Sequence, residues 1–428
     1  MQVSLIFRMM AGALCAALVV LPFSIAVGNG LLALTLLLAL GSGVWWQGVR
    51  HLWDHARPWL LLWLAYMVLM IVGLLWSPDL HRGGVIISKQ WSWLMIPVVL
   101  MICREGLWLQ RVLWGLSIGL ALHLLLCVAQ SQGIPLPVAA PGGSSQADAT
   151  GLIGHISFGL LYGIWAAWLL HLGWLRQGLS RYALGLVALW AVVMVFLAQG
   201  RSGYLVVLAL TGVMLWKLWL RHLHVRVLLA ALAVGMLAVY VVAKGPAETR
   251  IAWTVDSLKA FAHGDLEHAE ARISLWYISW EAWKQSPWLG IGTGGFPSVS
   301  KTLIAEHPHL NMEGHDSFAV PHNIYIMEMT RWGPLGLLVL LLWLGQWVRM
   351  GWRMDWQQPH QLLVTLSGVG IAVHGLTSQA VEEYHASMYG AIFFAIGLAA
   401  WMRIDALKGE EAMPDCSNSL DSPDKIAK

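Results

Sequence analysis

Charge is what this sequence has least of. Asp, Glu, Lys and Arg make up 11% of the chain, where a soluble domain carries roughly a quarter, and 58% of the residues are hydrophobic. That balance excludes an ordinary soluble globule. The formal net charge of +3 is too small for a nucleic-acid-binding surface. Cysteine is scarce too. Cys15, Cys103, Cys127 and Cys416 show neither close pairing nor metal-ligand spacing, which argues against a disulfide framework. There is no internal repeat. The single low-complexity stretch is the polar tail "GEEAMPDCSNSLDSPDKIAK", expected to be disordered.

What is present is apolar sequence in runs of about 20 residues, the length of helix that crosses a hydrocarbon core of about 30 Å. Such runs fall near 8–27, 30–48, 58–76, 84–102, 112–130, 152–171, 182–199, 203–220, 225–243, 322–345, 360–378 and 386–403. The expected fold is an all-α polytopic membrane protein of about twelve transmembrane helices. The first run follows Arg8 and resembles a signal peptide, but the many spans after it favour an uncleaved helix. With a cytoplasmic N-terminus, the inner loops carry Arg50, Arg57, Arg104, Arg111, Arg176, Arg181, Lys217, Arg221, Arg226, Arg349 and Arg353. Arg403 and Lys408 follow in the tail, whereas the short outer connections hold little beyond Arg82 and Arg201. Both termini are therefore expected inside.

The chain accordingly divides into spans 1–9 (1–243), a large outer loop between spans 9 and 10 (244–321), spans 10–12 (322–403) and a cytoplasmic tail (404–428). A second outer segment, "SQGIPLPVAAPGGSSQADAT", reads as an irregular loop or lid. Inside the large loop, "DLEHAEARISLWYISWEAWKQSP" places Ile273, Trp276, Tyr277, Trp280 and Trp283 at helical spacing, predicting an amphipathic helix that Pro287 stops.

A few polar residues could carry chemistry on the outer side. Arg201, in "FLAQGRSGYLVV", stands at a tight turn between two spans; the plain alternative is an arginine snorkelling to lipid phosphates. Arg272 opens the amphipathic helix, where it could merely pair with Glu267 or Glu270. His322 begins span 10 in "VPHNIYIMEMTRWGPLG", where free helix N–H groups favour an anion and a neutral imidazole; it could equally just cap the helix. Glu328 and Arg331, three residues apart in the same helix, neutralise each other and read as structural. Lys89, in "VIISKQWSWLMIPV", is a further intramembrane cation. "WLGIGTGGF" lacks the Gly-Lys-Ser/Thr ending of a phosphate loop and reads as a turn. "EHPHLNMEGHDSF" gathers His and carboxylates without a helical i, i+4 histidine pair, and no metal site is assigned to it.

Three of these stretches together resemble the bacterial O-antigen ligases, within the group that also holds O-antigen polymerases and protein O-oligosaccharyltransferases. They are Arg201 in "QGRSGYL", Arg272 in "ARISLWYISWEAWKQSPWLGIGTGGF", and His322 in "HNIYIMEMTRWGPLG" with Gly333 and Gly336 beyond. The resemblance implies an inner-membrane enzyme with a GT-C-like fold and a periplasmic active site. It would move polysaccharide from undecaprenyl diphosphate to a sugar hydroxyl of lipid A–core, with no metal or cofactor. It casts His322, Arg201 and Arg272 as catalytic, with the two arginines on the diphosphate; Lys89 is a further candidate for the diphosphate by its intramembrane position. Polymerase and protein-glycosylating activities remain alternatives within the class. A transporter or flippase for an anionic lipid or solute is the alternative outside it; that reading expects polar residues along several spans.

Overall fold

The structure is a computed structural model, and it describes residues 4–136, 144–198, 200–219, 252, 255, 256, 259, 271–307, 310 and 316–411. Within these residues all regular structure is helical. In chain order the helices are α1 (Leu5–Val20), α2 (Ile25–Gly41), α3 (Val44–Val72), α4 (Leu80–Ser88), a 3₁₀ turn (Lys89–Leu94), α5 (Met95–Arg104) and α6 (Gly106–Ser131). There follow α7 (His155–Trp174), α8 (Leu179–Leu197), α9 (Arg201–Trp219), α10 (Ala271–Gln285), α11 (Phe296–Glu306), α12 (Ile324–Arg353), α13 (Leu362–His374) and α14 (Tyr384–Glu411).

Eleven of the twelve expected spans coincide with these helices, and the twelfth, 225–243, lies outside the described residues. Among the described residues, seven helical segments are long and apolar enough to cross a bilayer, and four more are shorter apolar helices. Span 4 is interrupted: α4 passes into the 3₁₀ turn at Lys89 before α5 resumes. Cys15, Cys103 and Cys127 are free thiols.

Local chemistry sets the helix ends. Ser4, Ser24, Asp79 and Asn323 each accept a hydrogen bond from a backbone N–H of the first turn that follows. The bundle closes around buried aromatics from four segments. Trp59 stacks on Phe394 at 4.4 Å between ring centres and Tyr66 on Trp343 at 5.4 Å, while Trp93 meets Trp343 edge-on. Gly159 of α7 lies directly against Gly203 of α9, backbone to backbone, and a Cβ on either would collide with the other's Cα.

At about 1.5 Å per residue, the thirty residues of α12 run about 45 Å, half as long again as a hydrocarbon core. The helix is broken at Trp332 and Gly333, the latter at φ 65°, just before Pro334. Pro334 has no N–H for the carbonyl of Thr330. The chain supplies a substitute from elsewhere. The N–H of Ile291 donates to Thr330 O (3.0 Å) and that of Gly292 to Arg331 O (3.0 Å). Thr293 Oγ1 accepts from the Trp332 indole (3.1 Å) and donates to Met70 O of α3 (2.7 Å). The stretch read as a bare turn, "WLGIGTGGF", is thus a clasp that completes a broken helix.

Helices α10 and α11 pack on the first part of α12 in a small core of Ile278, Ala282, Phe296, Leu303 and Met327. Helix α10 forms where expected, and Ile273 of the expected apolar face is buried together with Leu275, Ile278 and Ala282. Trp280 of that face is half exposed and leans on Trp283.

Candidate functional site

His322 sits in a turn made rigid from two sides. On one side the Trp276 indole of α10 donates to Pro321 O at 3.1 Å. On the other, Asn323 Nδ2 donates to Leu376 O (2.9 Å), the Ile324 N–H to Gly375 O (2.9 Å) and the Tyr325 hydroxyl to Ala372 O (2.6 Å). Asn323 also caps α12 through the Ile326 N–H (3.1 Å), so the capping role considered for His322 belongs to its neighbour. So held, His322 adopts φ 54°, the one non-glycine residue with positive φ among those described. Such strain persists only where surrounding contacts over-determine it, as at sites.

Trp276 explains the position of Arg272. The two are one turn apart on α10, so Arg272 stands on the face that meets the His322 turn. Burial, the largest influence, and then the Arg272 charge hold the His322 imidazole below its ordinary pKa, with His155 adding to this and Glu383 opposing it. Its Nδ1 is buried with no hydrogen-bond partner among the described residues. A neutral ring with a free nitrogen is able to accept a proton.

Beside His322 opens a cavity of about 690 Å³. Its walls come from four places: Arg82 in the first turn of α4 with Ser88, Lys89 and Trp91 at its end, Gly154 to Ser157 at the start of α7, the turn before α12, and the turn from α13 into α14. Lys89 and Arg82 both line it. Lys89 is exposed to it at the α4 break, and Arg82 Nε is buried without a partner among the described residues. Of Arg201 the backbone alone is described. It opens α9, where Gly200 abuts the His155 carbonyl and Ser202 Oγ donates to Ile156 O at 3.5 Å. The start of α9 therefore lies behind the α7 wall.

The sequence reading overlooked the turn between α13 and α14. Glu383 accepts from Ser157 Oγ (3.3 Å) and pairs with His374 Nε2 (3.0 Å). Burial raises its carboxyl pKa, but the His374 hydrogen bond and charge, with His322 and a Gln379 backbone bond, outweigh that and bring it below the ordinary value. Neighbouring Glu382 grips Arg331 through both guanidinium nitrogens (Nη2–Oε2 3.2 Å). Arg331 also reaches Glu328 (3.3 Å), which accepts from the Tyr66 hydroxyl (2.9 Å). The expected Glu328–Arg331 pair is therefore a triad with a second carboxylate, fully buried. The signal in the sequence was two adjacent acids in a short outer connection of an acid-poor chain. His155 forms a further pair at the cavity, with Asp148 (3.1 Å).

Among the described residues no group of three or more His, Cys, Asp or Glu is arranged to hold a metal ion. Of the polar loop weighed for that role, 308–309 and 311–315 lie outside the described residues.

In a comparison with known families, residues 186–344 fit the family model described as O-antigen ligase. The matched segment contains Arg201, Arg272 and His322 and ends before the α13–α14 turn. No curated protein matches the chain. The likeness to that family covers 159 of the 428 residues.

Proposed function

We propose that this chain is an O-antigen ligase transferring polysaccharide from undecaprenyl diphosphate to a sugar hydroxyl of lipid A–core. The observation that carries the reading is a cavity with a strained imidazole on one wall, its buried Nδ1 without a partner among the described residues, and Arg82 and Lys89 on another. One side suits a hydroxyl that must lose its proton, the other a diphosphate that must leave.

In this mechanism His322 takes the proton from the acceptor hydroxyl. The oxygen attacks the anomeric carbon as the bond to the diphosphate breaks, and the electron pair departs with undecaprenyl diphosphate. Arg272, Arg201 and Lys89 stabilise that leaving charge, usually the largest catalytic contribution. Attack opposite the leaving group inverts the anomeric centre. No metal takes part.

The placement of charge supports a periplasmic cavity. Helix α7 starts at the cavity with His155 and ends at His171, which binds Trp356 O at 2.5 Å. Helix α12 likewise runs from the cavity to Trp352, whose carbonyl accepts from Lys217 (3.0 Å). The cavity and this cationic end are thus at opposite ends of the same helices. Arg57, Arg111, Arg181 and Lys217, all expected inside, each lie over a tryptophan ring. A basic, tryptophan-rich end is what a cytoplasmic interface looks like.

Reconstitution with defined donor and lipid A–core decides the matter. The expected product is an inverted glycoside, formed without an ion gradient and undiminished by chelator. Transport of substrate without transfer would instead establish the flippase reading.

A further inference from the structure

Gln379 is 3% exposed, yet it lines the cavity, and neither its Nε2 nor its Oε1 has a hydrogen-bond partner among the described residues. Buried carboxamides are almost always satisfied, because leaving donors and acceptor unpaired costs their full desolvation. The backbone leaves this one no slack. Gln379 O accepts from the N–H groups of Glu382 (2.7 Å) and Glu383 (3.0 Å), pinning the residue at the head of the turn that carries both acids. The side chain therefore stands on the same turn as Glu383, whose carboxylate acts on His322.

We propose that Gln379 is a substrate-reading residue: its carboxamide binds neighbouring hydroxyls on the sugar that offers the attacking oxygen. A carboxamide presents an acceptor and donors side by side, which fits a pair of ring hydroxyls that each donate and accept. It sits on the turn coupled to the imidazole, the group that must meet the acceptor, whereas the two cations that line the cavity, Arg82 and Lys89, come from α4 and the break that follows it. It reads the acceptor, and the diphosphate lies elsewhere. This assignment rests on the ligase reading for the identity of the acceptor.

The test is Gln379→Met, which keeps length and bulk but removes every polar atom. The KM for lipid A–core should rise about tenfold or more, with donor KM unchanged. The melting temperature of the substrate-free protein should stay level or rise, since an unpaired buried amide is removed. Thermal stabilisation by the free core oligosaccharide, measured without donor, should vanish in the variant. An unchanged acceptor KM overturns the inference while leaving the ligase reading intact. A lowered melting temperature, or equal damage to both KM values, also overturns it, since the amide is then a packing element. Wild-type protein that is stabilised by the oligosaccharide through Gln379 but transfers nothing refutes the ligase reading and keeps the sugar contact. Absence of both stabilisation and transfer in the wild type ends both proposals.

Discussion

At the scale of single residues, the site turns on how the His322 ring is tuned. Its pKa lies below the ordinary 6.5, so the proton-accepting form persists to lower pH than for a free imidazole. The acid limb of kcat/KM against pH should therefore fall below about 6.5. Glu383→Gln removes the group that opposes this depression, and should move the limb lower still. A limb at or above 6.5 in the parent protein would take His322 out of the base role. His322→Ala, Arg272→Ala and Arg201→Ala should each abolish transfer while the protein still inserts; wild-type activity in any one removes that residue from the mechanism. His322 and Lys89, which line the cavity, stood out in the sequence because each interrupts or borders an apolar run. Glu382 and Glu383 showed only as two adjacent acids and Gln379 not at all, since their partners come from helices far away in sequence.

Among the elements, α12 and its clasp carry most of the information. Gly333→Ala should be severely disruptive: its φ of 65° is poorly open to alanine, and the new Cβ would run into the Trp288 carbonyl. A loss of about 2 kcal/mol or more is expected, read as a lower unfolding temperature in detergent, and an unchanged midpoint would contradict the clasp. Glu382→Gln should be as damaging. It leaves Arg331 partly unpaired in full burial, and breaking such a pair typically costs about 3–5 kcal/mol. Hydropathy announced these helices, but it read 322–345 as one unbroken span and gave no sign of the break at Trp332 and Gly333. It could not announce that the N–H groups of Ile291 and Gly292 would repair it, because that contact is tertiary. Periodicity placed α10 and its Ile273 and Tyr277, which are buried or packed on the small core, but it did not show that Trp280 would be half exposed while Ala282 is buried.

For the whole molecule, the two ends of the bundle differ in kind. One gathers cations over tryptophan rings, as Arg111 over Trp108 at 4.5 Å, and the other opens the polar cavity. With the native cysteines replaced, Lys89→Cys should react with a membrane-impermeant thiol reagent applied from the periplasm, and Arg181→Cys should not. The reverse pattern would invert the assigned orientation. The basic loops made the difference between the two ends readable from the sequence, because charge follows a membrane rule that is independent of tertiary packing; on that rule the cationic end is the proposed cytoplasmic one. The convergence of α4, α7, α12 and the α13–α14 turn on one cavity obeys no such rule and needed the fold.

The Arg331–Glu382 contact also imposes an order on biogenesis. Fifty-one residues separate the partners, and the whole of α13 lies between them. A ribosome that has just released α12 has made a helix whose guanidinium holds Glu328 alone. Only when α14 begins to emerge can the second acid arrive, so chains cut short before it should be recognised as incomplete by membrane proteases.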